Sequence, residues 1–268
     1  MLNDVLTDYY KEGVVGFVTD RGVAMRIDLR SKAEWRAYWT GKYDDDVIDT
    51  LLDLVDRRGD VLDVGAQVGF YTLAFAEELT SGTVHAFEPV RSNAQRLREN
   101  VEENRKEEVV DVYQIALGGQ EKRAHVEVEG EGRSTTGNAF EVRGEVEEFA
   151  EGTETVEYLP LDSVAEIDPE NCRLIKVDIE GGEVDFLKGA EKFIRKGRPY
   201  IYGEFNAFWL EMYGQDFDEV VSLCEKWGYE VFEIEKGKVS KVQSPGKRTE
   251  DVLLIPEEKE ERLTSLSG

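Results

Sequence analysis

The chain has 268 residues, 40% of them hydrophobic, which is enough for one large domain with a substantial core. It carries 58 Asp and Glu against 33 Lys and Arg, a formal net charge of -25, and this argues against a nucleic-acid partner, whose phosphates need clustered cations. The acids are spread along the chain rather than gathered in a tail, as expected of an acidic, halophilic surface whose self-repulsion is screened by high salt.

Residues 1–12 read as a short helix. Val14 to Val18 and residues 23–29 read as strands joined at Thr19-Asp20-Arg21-Gly22, a turn with the Asp and Gly of a hairpin. Trp35 and Trp39 fall at i and i+4 of a helix over 33–40, which suits either the core or a substrate mouth. Residues 45–57 show a helical apolar pattern, with Gly59 near its C-cap. From Val61 a βα alternation sets in. Residues 61–64 form a strand, 72–79 a helix, 83–87 a strand, 92–104 a helix and 109–117 a third strand. Residues 121–159 break the rhythm, with strands at 124–129 and 155–159 around an acidic stretch that is a mobile lid, a specificity insert or a solvated loop. Strands follow at 173–179 and 199–205. A helix lies between them, its buried side running from Val184 to Ile194, and another covers 217–227 and closes at Gly228. Residues 229–235 and 251–255 read as a closing antiparallel pair, with the Gly237 region and 244–249 as loops. The expected organisation is an N-terminal extension over 1–58, a main domain over 59–256 that includes the 121–159 insert, and a charged tail over 257–268.

The chain shows no apolar run of about 18 residues, so no membrane span is expected. The opening Met1-Leu2-Asn3-Asp4 lacks the basic and apolar segments of a signal peptide. Cys172 and Cys224, each embedded in an apolar pattern, read as buried thiols. A cytoplasmic location is the expectation.

The stretch from Val61 to Thr72 organises the rest: an apolar strand, Asp63, a turn bracketed by Gly65 and Gly69, and a helix start. After the next strand comes Glu88, placed to accept hydrogen bonds from ribose hydroxyls. A dinucleotide site wants G-x-G-x-x-G so that backbone can approach a pyrophosphate. Here the spacing is Gly65-x-x-x-Gly69, and the Asp63 carboxylate would repel phosphates but suits an ammonium group. S-adenosylmethionine (SAM) is therefore the preferred cofactor, ahead of another nucleotide or an ordinary tight turn. Ligands of open α/β sheets bind beyond the carboxyl ends of the strands, where Asp63, Glu88, Asp178, Glu180, Glu183 and Glu204 should gather. In Lys176-Val-Asp-Ile-Glu-Gly-Gly-Glu183, residues 176, 178 and 180 share one face of an extended strand. Glu183 falls in a first helical turn, where the macrodipole favours an acid.

The ordered segments Asp63-Val-Gly-Ala-Gln-Val-Gly-Phe-Tyr-Thr72, Phe87-Glu-Pro89, Ala116-Leu-Gly118, Leu161-Asp-Ser163, Lys176 to Glu183, Leu187-Lys-Gly-Ala190 and Pro199 to Glu204 resemble the motifs of the FkbM-type methyltransferases over about residues 40 to 235. The resemblance implies the class I methyltransferase fold, a Rossmann-like, seven-stranded and mostly parallel sheet with helices on both faces. It also implies SAM-dependent O-methylation of a sugar, glycan or polyketide hydroxyl. Carried over by position, Asp63, Gly65, Ala66 and Gly69 line the methionine end of SAM, with Gln67, Phe70 and Tyr71 in the same segment. Glu88 binds the ribose with Pro89 beside it, Ile115 and Ala116 flank adenine, and Tyr43 covers the cofactor. Gln67 stands where the family usually has Asn.

For the chemistry, Asp178 is the first candidate general base. Glu180 and Glu204 come next as acceptor-binding or accessory groups, and a divalent ion held by Asp178 and Glu204 is another way to activate the oxygen. No dedicated metal site is expected. The expected partner is a small-molecule or glycan acceptor. The alternatives are a non-catalytic SAM-binding protein and a nucleotide-dependent oxidoreductase.

Overall fold

A computed structural model describes residues 13–128, 139–141, 153–235, 237–242 and 251–261. The helix expected over 1–12 and the loop expected over 244–249 lie outside the described residues, as do parts of the acidic stretch and of the tail. An antiparallel hairpin, β1 (Val14–Val18) and β2 (Ala24–Asp28), leads into α1 (Lys32–Thr40) and α2 (Asp45–Leu54). The helix α2 ends on Val55, so Gly59 belongs to the approach to the next strand rather than to a cap.

The main body starts with β3 (Asp60–Val64), α3 (Phe70–Glu78), β4 (Val84–Phe87), α4 (Arg91–Glu103) and β5 (Val110–Tyr113). Then come the short β6 (Ala116–Leu117) and the insert strands β7 (Lys122–Val128), β8 (Ala139–Glu141) and β9 (Thr153–Leu159). The remainder is β10 (Cys172–Val177), α5 (Glu183–Gly189), α6 (Glu191–Gly197), β11 (Tyr200–Glu204), α7 (Ala207–Met212), α8 (Phe217–Trp227), β12 (Tyr229–Glu235), β13 (Lys238–Lys241) and β14 (Asp251–Pro256).

Among the described residues the main sheet has eight strands in the order β13-β12-β14-β11-β10-β3-β4-β5. The run from β11 to β5 is parallel, while β14 enters antiparallel between β11 and β12. This is the expected class I α/β arrangement, with β13 added on the edge next to β12 where the sequence suggested only a loop. Every residue of β3 is buried, as a central parallel strand requires. Val61 joins the cluster packed under α2, α3 and α4, and Leu62 and Val64 join the one under α5, α6 and α8. The core is therefore two apolar layers, one on each face of the sheet. Both cysteines are buried free thiols.

Two expected elements are divided. The strand expected over 109–117 splits into β5, which pairs with β4, and β6, which pairs in parallel with β9 of a separate sheet of order β6-β9-β7-β8. Ile115 sits at the step between the two sheets. The helix expected after Glu183 breaks at Ala190 (φ -112°, ψ 9°). The start of α6 is instead capped from a distance, since the Asp162 carboxylate accepts from the Lys192 and Phe193 amides at 3.1 and 2.8 Å. That gives the Leu161-Asp-Ser163 motif a structural purpose.

Candidate functional site

At the carboxyl ends of β3, β4 and β10 lies a cavity of about 310 Å³. It is lined by Gly65 and Gln67 from the first turn, Glu88 and Pro89 after β4, Ile115 and Ala116 at the sheet step, and Asp178 and Glu180 after β10. Backbone conformation shapes its floor. Gly65 has φ +78°, and a Cβ there would collide with the Asp178 carbonyl oxygen, so only glycine lets the two strand ends close up. Gln67 and Glu180 also adopt left-handed backbone, with φ of 49° and 52°. Such strain in non-glycine residues concentrates at ligand sites. It also gives a reason for the Asn expected at position 67, because Asn tolerates this region better than Gln does.

Glu88 is held by its surroundings. Its Oε2 accepts from the Gln67 amide at 2.9 Å, and its Oε1 accepts from the Val90 amide at 2.9 Å and from the Asn93 side chain at 3.5 Å. Burial pushes its carboxyl up to about 7, against the opposing pull of these donors. Glu183, reserved by the sequence for the helix dipole, is fully buried and clasps the loop behind the cavity. It accepts from the Ile179 and Gly181 amides at 3.0 and 2.8 Å, and burial raises it to about 7 as well. It thereby fixes the backbone that carries Asp178 and Glu180.

The residues of the cavity fit SAM: bare backbone at Gly65, a carboxylate at Glu88 for ribose hydroxyls, and apolar Ile115, Ala116 and Leu117 for the base. The model of the methyltransferase FkbM domain matches residues 63–231, well over half of the chain. The chain belongs to that family. SAM is the cofactor that goes with it. No curated protein matches the sequence significantly. Among solved structures, a methyltransferase FkbM from Methylobacillus flagellatus KT is similar at 17% identity and a TM-score of 0.47. The match covers 74% of this chain and 44% of that one, so the chain spans less than half of that relative. TYW2 from M. jannaschii, solved in complex with AdoMet, is similar at 14% identity and a TM-score of 0.46, covering 91% of this chain and 85% of that one. A precorrin-6y C5,15-methyltransferase from Geobacter metallireducens GS-15 follows at 13% identity and 0.43, covering 80% and 87%.

Several residues expected to touch the cofactor of this FkbM-family chain point elsewhere. Asp63 is wholly buried and does not line the cavity. Its Oδ2 accepts from the Thr72 hydroxyl at 2.6 Å, and its Oδ1 lies 3.2 Å from the Lys176 ammonium. Ala66 is buried behind the turn, its amide donating to the Phe87 carbonyl at 3.0 Å. Tyr43 and Phe70 stack on each other with centroids 4.2 Å apart, and Tyr71 meets Tyr43 edge-on, so these three rings pack together in the core layer rather than over the cavity. Gly69 starts α3 against Leu97. Glu204 is exposed at the end of β11 and does not line the cavity. Among the described residues no group of three or more His, Cys, Asp or Glu gathers as a metal site, and no helix is long and apolar enough to cross a membrane. Trp35 and Trp39 stay away from the cavity, the first packed against the core and the second exposed.

Lys176, which the sequence gives no role, does not line the cavity but ties its wall residue Asp178 to the buried Asp63. In the sheet its Cα pairs with Asp63 on one side and Tyr202 on the other, which puts the three side chains in one row on the same face. Its ammonium is buried, donates to the Gly65 carbonyl at 2.9 Å, lies 3.8 Å from Asp178 and sits 5.2 Å from the centre of the Tyr71 ring. Burial alone would lower its proton affinity. The Asp63 and Asp178 carboxylates outweigh that and raise it above the usual lysine value. The signal available in the sequence was a lysine inside an apolar strand, which must be paired if it is buried.

Proposed function

We propose that this protein transfers the methyl group of SAM to a hydroxyl oxygen of a sugar, glycan or similar polyhydroxylated small molecule. The observation that supports this best is Asp178, half-buried on the cavity wall, with its carboxylate oriented by Lys176 and its backbone locked against Gly65. Glu180 stands next to it on the same wall. When bound, SAM supplies a methyl carbon on a sulfonium, open to in-line displacement. In this reading Asp178 takes the acceptor's proton as its oxygen forms the new C–O bond and the C–S bond breaks, leaving S-adenosylhomocysteine. A general base of this kind contributes about 10²–10⁴-fold. Glu180 binds neighbouring hydroxyls and so holds the attacking oxygen in line. Glu88 takes the ribose, and Ile115, Ala116 and Pro89 take adenine.

The test is methyl transfer from isotopically labelled SAM to a panel of sugars and glycans. Asp178→Asn should cut turnover at least 100-fold while SAM affinity stays within about threefold. Full activity in that variant would remove Asp178 as the base, and acceptance of nitrogen nucleophiles alone would remove the O-methyl assignment.

A further inference from the structure

The 121–159 insert reads from sequence as a lid, a specificity insert or a solvated loop, and its strands carry cavity-lining residues. Lys122 and Val126 of β7 and Tyr158 of β9 all line the cavity that holds Ile115 and Ala116. The attachment is structural on both sides. Ala116, one of the expected adenine residues, and Leu117 pair in parallel with Tyr158 and Leu159. On the other side, the Glu154 carboxylate of β9 accepts from the Arg91 amide at 3.0 Å, at the helix start that directly follows Pro89 and Val90. The insert is thereby tied both to the segment expected to flank the base and to the one that follows the expected ribose residue, Glu88.

Within this wall the Tyr158 ring is fixed from two directions. Lys122 is its cross-strand neighbour, with the ammonium 4.8 Å from the ring centre, a cation–π geometry. Beneath it, Gly118 leaves the backbone bare, and a Cβ there would come within 3.2 Å of the ring's Cδ1. Val126, buried to 1% exposure, adds apolar surface alongside.

We propose that the inserted sheet is the adenosine wall of the cofactor cavity, with the Tyr158 ring as the surface against which adenine packs and Lys122 as the cation that holds the ring in place. This rests on the cavity being the SAM site. It assigns the insert to cofactor binding rather than to choosing the acceptor. Packing of a base on an aromatic ring has the strength to change affinity by about an order of magnitude.

The experiment is calorimetric titration of the full chain with S-adenosylhomocysteine and, separately, with adenosine, which lacks the amino-acid part. Tyr158→Ala should weaken both probes about tenfold and by similar factors, and Tyr158→Phe should bind both as the wild type does. Tyr158→Leu keeps apolar volume in β9 but removes the ring. It should also weaken both probes, which keeps the test decisive if the alanine variant does not fold. A folded Ala or Leu variant that binds adenosine as tightly as wild type overturns the proposal and leaves the cofactor reading intact. Wild-type protein that binds neither probe overturns the cofactor reading of the cavity and the proposal with it.

Discussion

Replacing Lys176 with Met tests the buried charge cluster that supports the cavity wall. The change keeps most of the stem's volume beside Tyr71 but deletes the ammonium, so overpacking and cavity effects stay small. What remains is Asp63, with no exposed surface, deprived of the cation 3.2 Å away, and a Gly65 carbonyl without its 2.9 Å donor. Removing one partner of a buried pair costs about 3–5 kcal/mol, and an orphaned buried acceptor costs about 1–3 kcal/mol. The two losses share a group and do not simply add. A loss of about 4 kcal/mol is a large part of the roughly 5–15 kcal/mol by which a domain is stable. The double variant Asp63→Asn with Lys176→Met removes both charges and keeps an oxygen for the Thr72 hydroxyl, so it should recover about half of the loss or more. Urea unfolding of the four proteins of the cycle, with the slope checked for constancy, measures this. A Lys176→Met loss under about 1 kcal/mol, or a double variant that shows simple additivity, would refute the charge-pair account.

Glu88 should accept from ribose hydroxyls best when ionised, so SAM affinity should rise between pH 6 and 8, as pH passes the carboxyl's raised value of about 7. Glu88→Gln should flatten that profile in calorimetric titrations. The same shift, together with that of Glu183, acts on folding with the opposite slope. Both folded carboxyls keep a proton that the unfolded chain gives up near pH 4.5, so their contribution is complete below that pH and is lost as pH rises to about 7. A Glu183→Gln variant should lose this share of the decline in urea midpoints across that window. Asp162→Ala strips the remote cap from α6 and should cost about 1 kcal/mol in the same assay; no change would mean that solvent serves those amides equally well. If the net charge of -25 reflects a surface adapted to salt, molar KCl should raise the melting temperature by several degrees. An unchanged melt would count against that adaptation.

The sequence made the local parts of this fold readable and hid the non-local ones. Hairpin β1–β2, the α8 helix with Asp216 at its start and Gly228 at its end, and the β3-turn-α3 unit rest on signals within a few residues. The split of 109–117 rests on β6 finding β9 across the insert, which periodicity cannot register. The site shows the same division, most clearly in two acids that look alike in the sequence. Asp63 and Glu88 both stand near the carboxyl end of a parallel strand, and by sequence both read as cofactor ligands. Asp63 lies one residue inside the end of β3, so its side chain belongs to a sheet face and meets its in-register neighbours, Ala86 on β4 and Lys176 on β10. Glu88 lies one residue past the end of β4, off the sheet, where loop amides hold it on the cavity wall. Two positions relative to the strand end, from one residue inside it to one residue past it, thus separate an acid that neutralises a neighbouring strand from one that can meet a ligand. The motif places both residues near the edge, but where each strand ends, fixed by pairing between segments far apart in the chain, decides which of them meets the cavity.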